Sequence, residues 1–318
     1  MIDMNVLVSQ LIEFFFIICL GYLVFKIGIF NDQVNKHISA FILHITLPCM
    51  IVSSVLSMKN HPPVSTVATV FMVSIGFFVI MPIIAFIVVK ILRKTIKIVK
   101  QRQGAYMFML IFTNCGFMGL PILQAAFGEN GATAVFYAAI LNIFFNLSAF
   151  TYGILMIGYG NDVDSKINPK DLLTPGIVCA IVAILFFIFN ISLPLPLANA
   201  LDRVGDLTPA MAMLLVGSTL ATMNLKEALS EWRIYVFCIV KQFILPILLF
   251  PLFRLLIPDS FLLNVIFIEF LMPIANTALM ISTQKDLDYK FVSKAIFIST
   301  VMSLASIPLV MYLCSIIY

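Results

Sequence analysis

Residues Phe112-Thr113-Asn114-Cys115-Gly116-Phe117-Met118-Gly119-Leu120-Pro121-Ile122-Leu123-Gln124 interrupt an otherwise apolar segment with two glycines and a proline inside six residues. Gly116 and Gly119 weaken a helix, and Pro121 has no N–H to offer the carbonyl of Phe117. Asn114 adds a side-chain amide beside the freed backbone. In water such a run would be an ordinary loop. In a bilayer an unsatisfied backbone group is costly, so the run persists only where protein buries it or where it lines a water-filled cavity.

The rest of the chain points to the bilayer. Of 318 residues, 62% are hydrophobic and 11% charged, and the mean hydropathy is +1.11; a soluble domain carries about 25% charged residues. This is the composition of an integral membrane protein. The net charge of +4 is small and dispersed, so nucleic acid is not an expected partner. Met1 to Asn5 has no positive n-region and no small-residue cleavage site follows, so the first apolar segment is expected to be a retained span. The cysteines, Cys19, Cys49, Cys115, Cys179, Cys238 and Cys314, stand singly in apolar runs. That spacing suits neither a disulfide framework nor a metal site, and buried free thiols are expected.

A span needs about 20 mostly apolar residues, and the sequence divides into ten, near 5–26, 36–57, 66–90, 105–127, 131–158, 172–193, 207–223, 233–257, 261–283 and 291–317. Of the 19 Lys and Arg residues, Lys59, Arg203 and Arg254 fall on one face, Lys241 lies inside a span, and the others follow the odd-numbered spans. The positive-inside rule then puts both termini outside and the basic loop after span 3 in the cytoplasm. The expected location is the plasma (inner) membrane.

Sliding the chain on itself by about 160 residues brings landmarks together, in the manner of an internal repeat. Leu47-Pro48-Cys49-Met50 falls on Thr208-Pro209-Ala210-Met211, and Phe112 to Leu120 falls on Met272 to Leu279. Five spans per half is an odd number, so residues 1–160 and 161–318 would form an inverted repeat. The expected fold is all-α and polytopic, a 5+5 inverted repeat whose fourth and ninth spans are broken and cross. The second break is Leu271-Met272-Pro273-Ile274-Ala275-Asn276-Thr277-Ala278. Pro273 frees the carbonyl of Glu269, Asn276 and Thr277 supply polar groups, and Ala275 and Ala278 permit close approach. The two prolines do not superpose under the offset.

Ionisable groups inside spans are few: Glu13, Glu269 and Lys241. Each costs roughly 2.5–3.5 kcal/mol or more at a helix centre, so each should face a partner or a cavity. For Glu13 an interfacial or bundle-facing position is expected. Lys241, followed by Gln242 and Pro246, could snorkel or stand near the site. Glu269 could carry a coupling proton or cation, or pair with Lys241. Asn142 and Asn146 share a helix face at i, i+4, where interhelical hydrogen bonding is the favoured role. Two broken helices crossing in mid-membrane would present N-termini that favour anions and C-terminal carbonyls that favour cations.

With these landmarks the chain resembles the auxin efflux carrier family, in particular its bacterial members described as malate permeases. The residues that carry the likeness are Thr113 to Pro121, Phe127-Gly128 with Gly131, Leu47-Pro48, Lys241 with Pro246, and Pro273 to Asn276. The resemblance implies a scaffold of spans 1, 2, 6 and 7 (about 5–57 and 172–223) and a moving transport domain of spans 3–5 and 8–10 (about 66–158 and 233–317). It also implies an elevator-like movement and a homodimer formed through the scaffold helices. Asn114 and Asn276 would contact a carboxylate, with Cys115, Gly116 and Thr277 beside them. Pro121, Pro273, Gly119 and Ala275 would form the crossover. The linker Gly160 to Asp171 is short, so regulation through a long hydrophilic loop is not expected.

The expected function is secondary transport of small organic anions such as malate. The alternative is a sodium- or proton-coupled symporter of the bile-acid type with Glu269 in the ion site. No cofactor and no metal are expected, and the partners are a small carboxylate and the lipid bilayer. An enzyme is not expected: no aspartate falls within a span, and both the His-Glu-x-x-His motif and the phosphate-binding Gly-x-x-x-x-Gly-Lys run are absent.

Overall fold

A computed structural model of the chain describes residues 4–58, 61–161, 174–222 and 231–317. Among these residues the structure is helical, and its one extended feature is an isolated bridge. The helices are α1 (Met4–Lys26), α2 (Asp32–Phe41), α3 (Leu47–Leu56), α4 (Val64–Ile96), α5 (Gln103–Ile111), α6 (Leu120–Ala126), α7 (Gly131–Ser148) and α8 (Ile154–Ile157). They continue with α9 (Pro175–Ile188), α10 (Leu195–Gly205), α11 (Leu207–Ala221), α12 (Trp232–Ile239), α13 (Leu245–Leu256), α14 (Ser260–Leu271), α15 (Asn276–Gln284) and α16 (Tyr289–Ile317). Asn31, Thr174 and Asp259 cap α2, α9 and α14 by accepting backbone N–H bonds at 2.9, 3.3 and 2.7 Å.

Among the described residues, seven helices are long and apolar enough to cross a membrane: Val6–Lys26, Asp32–Leu56, Val64–Ile96, Gly128–Ile157, Leu195–Ala221, Trp232–Leu256 and Tyr289–Ile317. Three shorter apolar helices, Cys115–Ala126, Pro175–Ile188 and Ser260–Leu271, fall where the sequence places spans 4, 6 and 9. The shortfall has a local cause in two of them. The fourth segment is divided at Phe112–Asn114 and the ninth at Met272–Ala275. Most of the linker between the halves, and Lys59, Lys166, Lys170 and Lys226 from the charge count, lie outside the described residues.

Several spans contain a turn of π-helix, at Ile42–Thr46, Cys115–Gly119, Ala149–Gly153 and Val240–Ile244. In three of these the second residue past the turn is a proline: Pro48, Pro121 and Pro246. The residue before each proline bonds five residues back, Leu47 to the Ile42 carbonyl, Leu120 to Cys115 and Leu245 to Val240. The wider turn accommodates the ring and the missing N–H without ending the helix. This corrects the expectation that Pro121 forms the crossover. Pro121 lies early in a continuous helix, and the backbone leaves helical geometry earlier, at Phe112 (φ −92°, ψ 104°).

Two packing groups are joined through α7, which contacts α3 and α9, and through α1, which contacts α6 and α16. α1 lies along α11, and α3 packs on α9 and α10. At the α1–α11 crossing a Cβ on Gly21 would strike the Leu214 backbone, and one on Gly217 would strike that of Ile18. Only glycine permits this approach. In the second group α4 packs on α5 and α7, α14 on α7 and α13, and α16 on α12, α13 and α15. Glu13, expected at an interface or facing the bundle, is exposed near the middle of α1.

Candidate functional site: two helix breaks bonded to each other

Thr113 and Ile274 form an antiparallel bridge between the two breaks. The Asn114 N–H donates to the Pro273 carbonyl at 2.8 Å, and the Ala275 N–H donates to the Phe112 carbonyl at 3.1 Å. Each break thus supplies the backbone partner that the other lost with its helix. The two lie at one level, although the prolines were out of register in the sequence offset. Phe112, fully buried, anchors the first break among Phe108, Phe145 and Phe78, with ring centroids 4.3, 5.4 and 6.0 Å away.

Side chains satisfy what the bridge leaves over. Pro273 cannot donate to the Glu269 carbonyl, which instead accepts the Thr113 hydroxyl at 2.9 Å and the Met272 N–H at 3.3 Å. Lys241 Nζ donates to the Met272 carbonyl at 2.8 Å. Ser299 in α16 accepts the Ile274 N–H at 3.2 Å through its hydroxyl, and its carbonyl accepts from Gln242 Nε2 at 2.7 Å. Lys241, Gln242 and Glu269 are all essentially inaccessible, at 1%, 0% and 1% exposure. They support the second break from behind.

Of the roles left open for Glu269, pairing with Lys241 is not the one seen, because Lys241 is committed to the Met272 carbonyl. Both Glu269 carboxyl oxygens are buried without a hydrogen-bond partner, as is Gln242 Oε1. The Glu269 carboxyl lies against Gly119, where any Cβ would collide with it. Gly119 therefore serves as the flat surface on which this acid rests.

The more accessible residues form a different set. Gly116, Asn276, Thr277 and Asn142 are half-buried, and a Cβ at Gly116 would meet open space. Asn276 is the first residue of α15, whose N-cap, Ala275, has no side-chain capping bond, so the free N–H groups of the first turn remain available. Asn114 and Cys115 adjoin them, at 6% and 2% exposure. Cys115 Sγ donates to Asn142 Oδ1 at 3.1 Å, bringing α7 to the first break. Asn146 does not follow, since its amide folds back onto the Asn142 carbonyl at 2.8 Å. Two helix N-termini, the neutral amides of Asn114 and Asn276, and a small opening at Gly116 form an arrangement that can hold an anionic group without a full positive charge.

The sequence assigns no role to the hydroxyl of Thr113, though the residue lies in the motif, or to that of Ser299. Thr113 could have been found as the hydroxyl beside Asn114. Ser299 had no signal beyond the Ser-Thr pair in an apolar span.

The sequence profile of the family described as "Membrane transport protein" matches residues 6–168 and 161–311. An uncharacterized transporter of Methanocaldococcus jannaschii is 24% identical over 97% of this chain and 98% of its own length. An uncharacterized transporter of Methanothermobacter thermautotrophicus is 22% identical over 92% of this chain and 93% of its own. A Rhizobium meliloti protein named "Putative malonate transporter" is 24% identical over 95% and 94% of the two chains. These likenesses make the molecule a membrane transporter rather than an enzyme. With the profile matched across nearly the whole chain, the protein belongs to the membrane transport protein family of auxin efflux carriers.

Proposed function

We propose that the protein is a secondary carrier of small organic anions, carboxylates such as malate or related metabolites, which it holds where the two broken helices cross. The observation that carries this reading is the bridge between Thr113 and Ile274, which gathers two helix N-termini, Asn114 and Asn276 beside a half-buried opening. Cys115, Gly116 and Thr277 complete the binding surface, and Asn142 stands behind it. The relative named as a malonate transporter supports a dicarboxylate as the cargo class.

In this reading the chain crosses the inner membrane ten times as a 5+5 inverted repeat, with both termini outside. α1, α3, α9 and α11 form the scaffold, and the elements around the two breaks move past it as one body. The packing of α1 along α11 and of α3 on α9 supports the scaffold, whose contacts with α6, α7 and α16 would then be the surface that slides, and the bridge supports rigid movement of the site. Glu13 supports a homodimer, because a carboxylate exposed near the middle of α1 needs cover in the bilayer.

A second reading, symport with sodium or a proton, is favoured by Glu269, whose carboxyl is buried without a partner next to the first break. Counterflow in proteoliposomes loaded with labelled dicarboxylate tests both. Asn114→Ala or Asn276→Ala should abolish exchange while insertion and abundance stay normal; wild-type exchange in both variants overturns the site. Glu269→Gln should change the sodium or pH dependence of uptake, and an unchanged dependence leaves Glu269 a structural group.

A further inference from the structure

We infer that the protein carries a specific site for an anionic glycerophospholipid on the outer flank of α4, with one acyl chain in the groove between α4 and α8 and the phosphate among Lys90, Arg93, Lys97 and Lys100. The groove has a volume of about 570 Å³ and is almost entirely apolar, within the roughly 300–1,000 Å³ of ligand-sized sites. Phe78, Pro82 and Phe86 of α4 form one wall, and Tyr152, Met156 and Tyr159 at the α8 end form the other.

The sequence builds this groove with a proline. Pro82 lies inside α4 and cannot donate to the Phe78 carbonyl. The Tyr152 hydroxyl donates to that carbonyl at 2.9 Å. This bond ties the two walls together at the deep end and leaves them open to lipid above it, where Phe86 and Tyr159 are 52% and 50% exposed.

The charged end follows from helix length. At about 1.5 Å per residue, the 33 residues of α4 extend for about 50 Å, well beyond a hydrocarbon core of about 30 Å. Lys90 and Arg93 follow Phe86 at i+4 and i+7, so they continue the groove-facing side of the helix into the headgroup layer. Lys97 ends α4 in the left-handed region (φ 56°) and turns the chain across the mouth of the groove. Lys100 closes the other side, because Gly160, directly after Tyr159, packs on the Lys100 backbone and Asn161 Nδ2 donates to the Gln101 carbonyl at 2.8 Å.

Among the described residues the charge there is unbalanced. After Asp32 the next carboxylate in the chain is Glu129. Glu231 and Asp288 are engaged by Arg102, at 2.6 and 2.8 Å. Among the described residues Lys90, Arg93, Lys97 and Lys100 have no carboxylate partner, and all four side chains are exposed. Basic residues at a membrane surface are common. What distinguishes this cluster is its position at the open end of a ligand-sized apolar groove, a combination that matches a lipid phosphate and its chain. The deep wall reaches the functional centre, since Phe78 and Tyr152 both pack on Phe112, with centroids 6.0 Å away in each case. A bound chain therefore braces the first helix break from the lipid side.

The test is the thermal midpoint of the purified full-length protein in detergent, with dioleoyl phosphatidylglycerol or dioleoyl phosphatidylcholine added. Phosphatidylglycerol should raise the midpoint and phosphatidylcholine should not. Arg93→Gln/Lys97→Gln should lose more than half of that shift, as should Val79→Trp, which fills the groove. Lys36→Gln/Lys290→Gln, basic residues elsewhere, should keep it. Dihexanoyl phosphatidylglycerol and inorganic phosphate should give little or none, because neither fills the groove. An undiminished shift in Arg93→Gln/Lys97→Gln, or a full shift with the short-chain lipid or with phosphate, overturns the proposal. The assay uses no transported substrate, so its outcome is independent of the carrier assignment.

Discussion

Replacing Gly119 with alanine probes the contact between the two breaks at its tightest point. The added methyl would stand 2.7 Å from Glu269 Cδ and nearer still to the carboxyl oxygens, where carbon atoms settle at roughly 3.5–4.0 Å. Something must move by about 1 Å, and Glu269, at 1% exposure, has little room. Overpacking of this kind costs about 1–3 kcal/mol. The assay is thermal unfolding in detergent, read as the loss of monodisperse protein, for a set of single and double variants. Gly119→Ala should lower the midpoint. Glu269→Ala, which deletes the group that the methyl strikes, should suppress most of that loss and give a coupling of at least about 1 kcal/mol in the double-mutant cycle. Glu269→Gln keeps the shape and should not suppress it. Equal penalties in all three backgrounds would refute the contact, as would no penalty in Gly119→Ala alone.

Other expectations follow from single interactions. Thr113→Val keeps the side-chain volume but withdraws one of the two donors from the Glu269 carbonyl, and should destabilise the protein by about 0.5–1.5 kcal/mol in the same unfolding assay. Gly217→Leu should block the α1–α11 approach and sharply reduce the amount of folded protein recovered, whereas Gly76→Leu, at a site with open space, should not. Arg102→Gln removes a bidentate contact to Asp288, a bond to Glu231 and a cation–π contact to Phe291 at 4.5 Å. Because the Arg102 and Asp288 side chains are partly exposed, the loss should be about 1–2 kcal/mol at low ionic strength and smaller in high salt, as seen by comparing midpoints at the two ionic strengths.

The existence of both breaks was legible in the sequence, because glycine, proline and asparagine inside apolar spans have few uses other than interruption. Their depth was not. Alignment of prolines is a poor guide when a π-turn absorbs one of them, as at Pro121, while the other, Pro273, stands inside the break itself. The buried character of Lys241, Gln242 and Glu269 followed from the cost of such groups in lipid, but their partners did not. The Lys241 ammonium bonds a carbonyl that exists as a free acceptor only because Met272 has left the helix, and composition carries no trace of that. The same holds for Thr113, whose role depends on a residue in the other half of the chain. Glu13 shows the limit of the cost argument, which requires cover for a carboxylate but does not say that its own chain provides it.

About half the chain separates Thr113 from Ile274, and this has a consequence for biogenesis. The first break reaches the bilayer during synthesis with the Asn114 N–H and the Phe112 carbonyl still without their eventual partners, because Pro273 and Ala275 have yet to be made. Until the second break arrives, water or the insertion machinery must solvate that backbone, so the first half cannot mature alone. Completion of the Thr113–Ile274 bridge is therefore a late checkpoint in assembly, and a ribosome stalled between the two breaks would hold a chain that quality-control proteases can recognise by its open backbone.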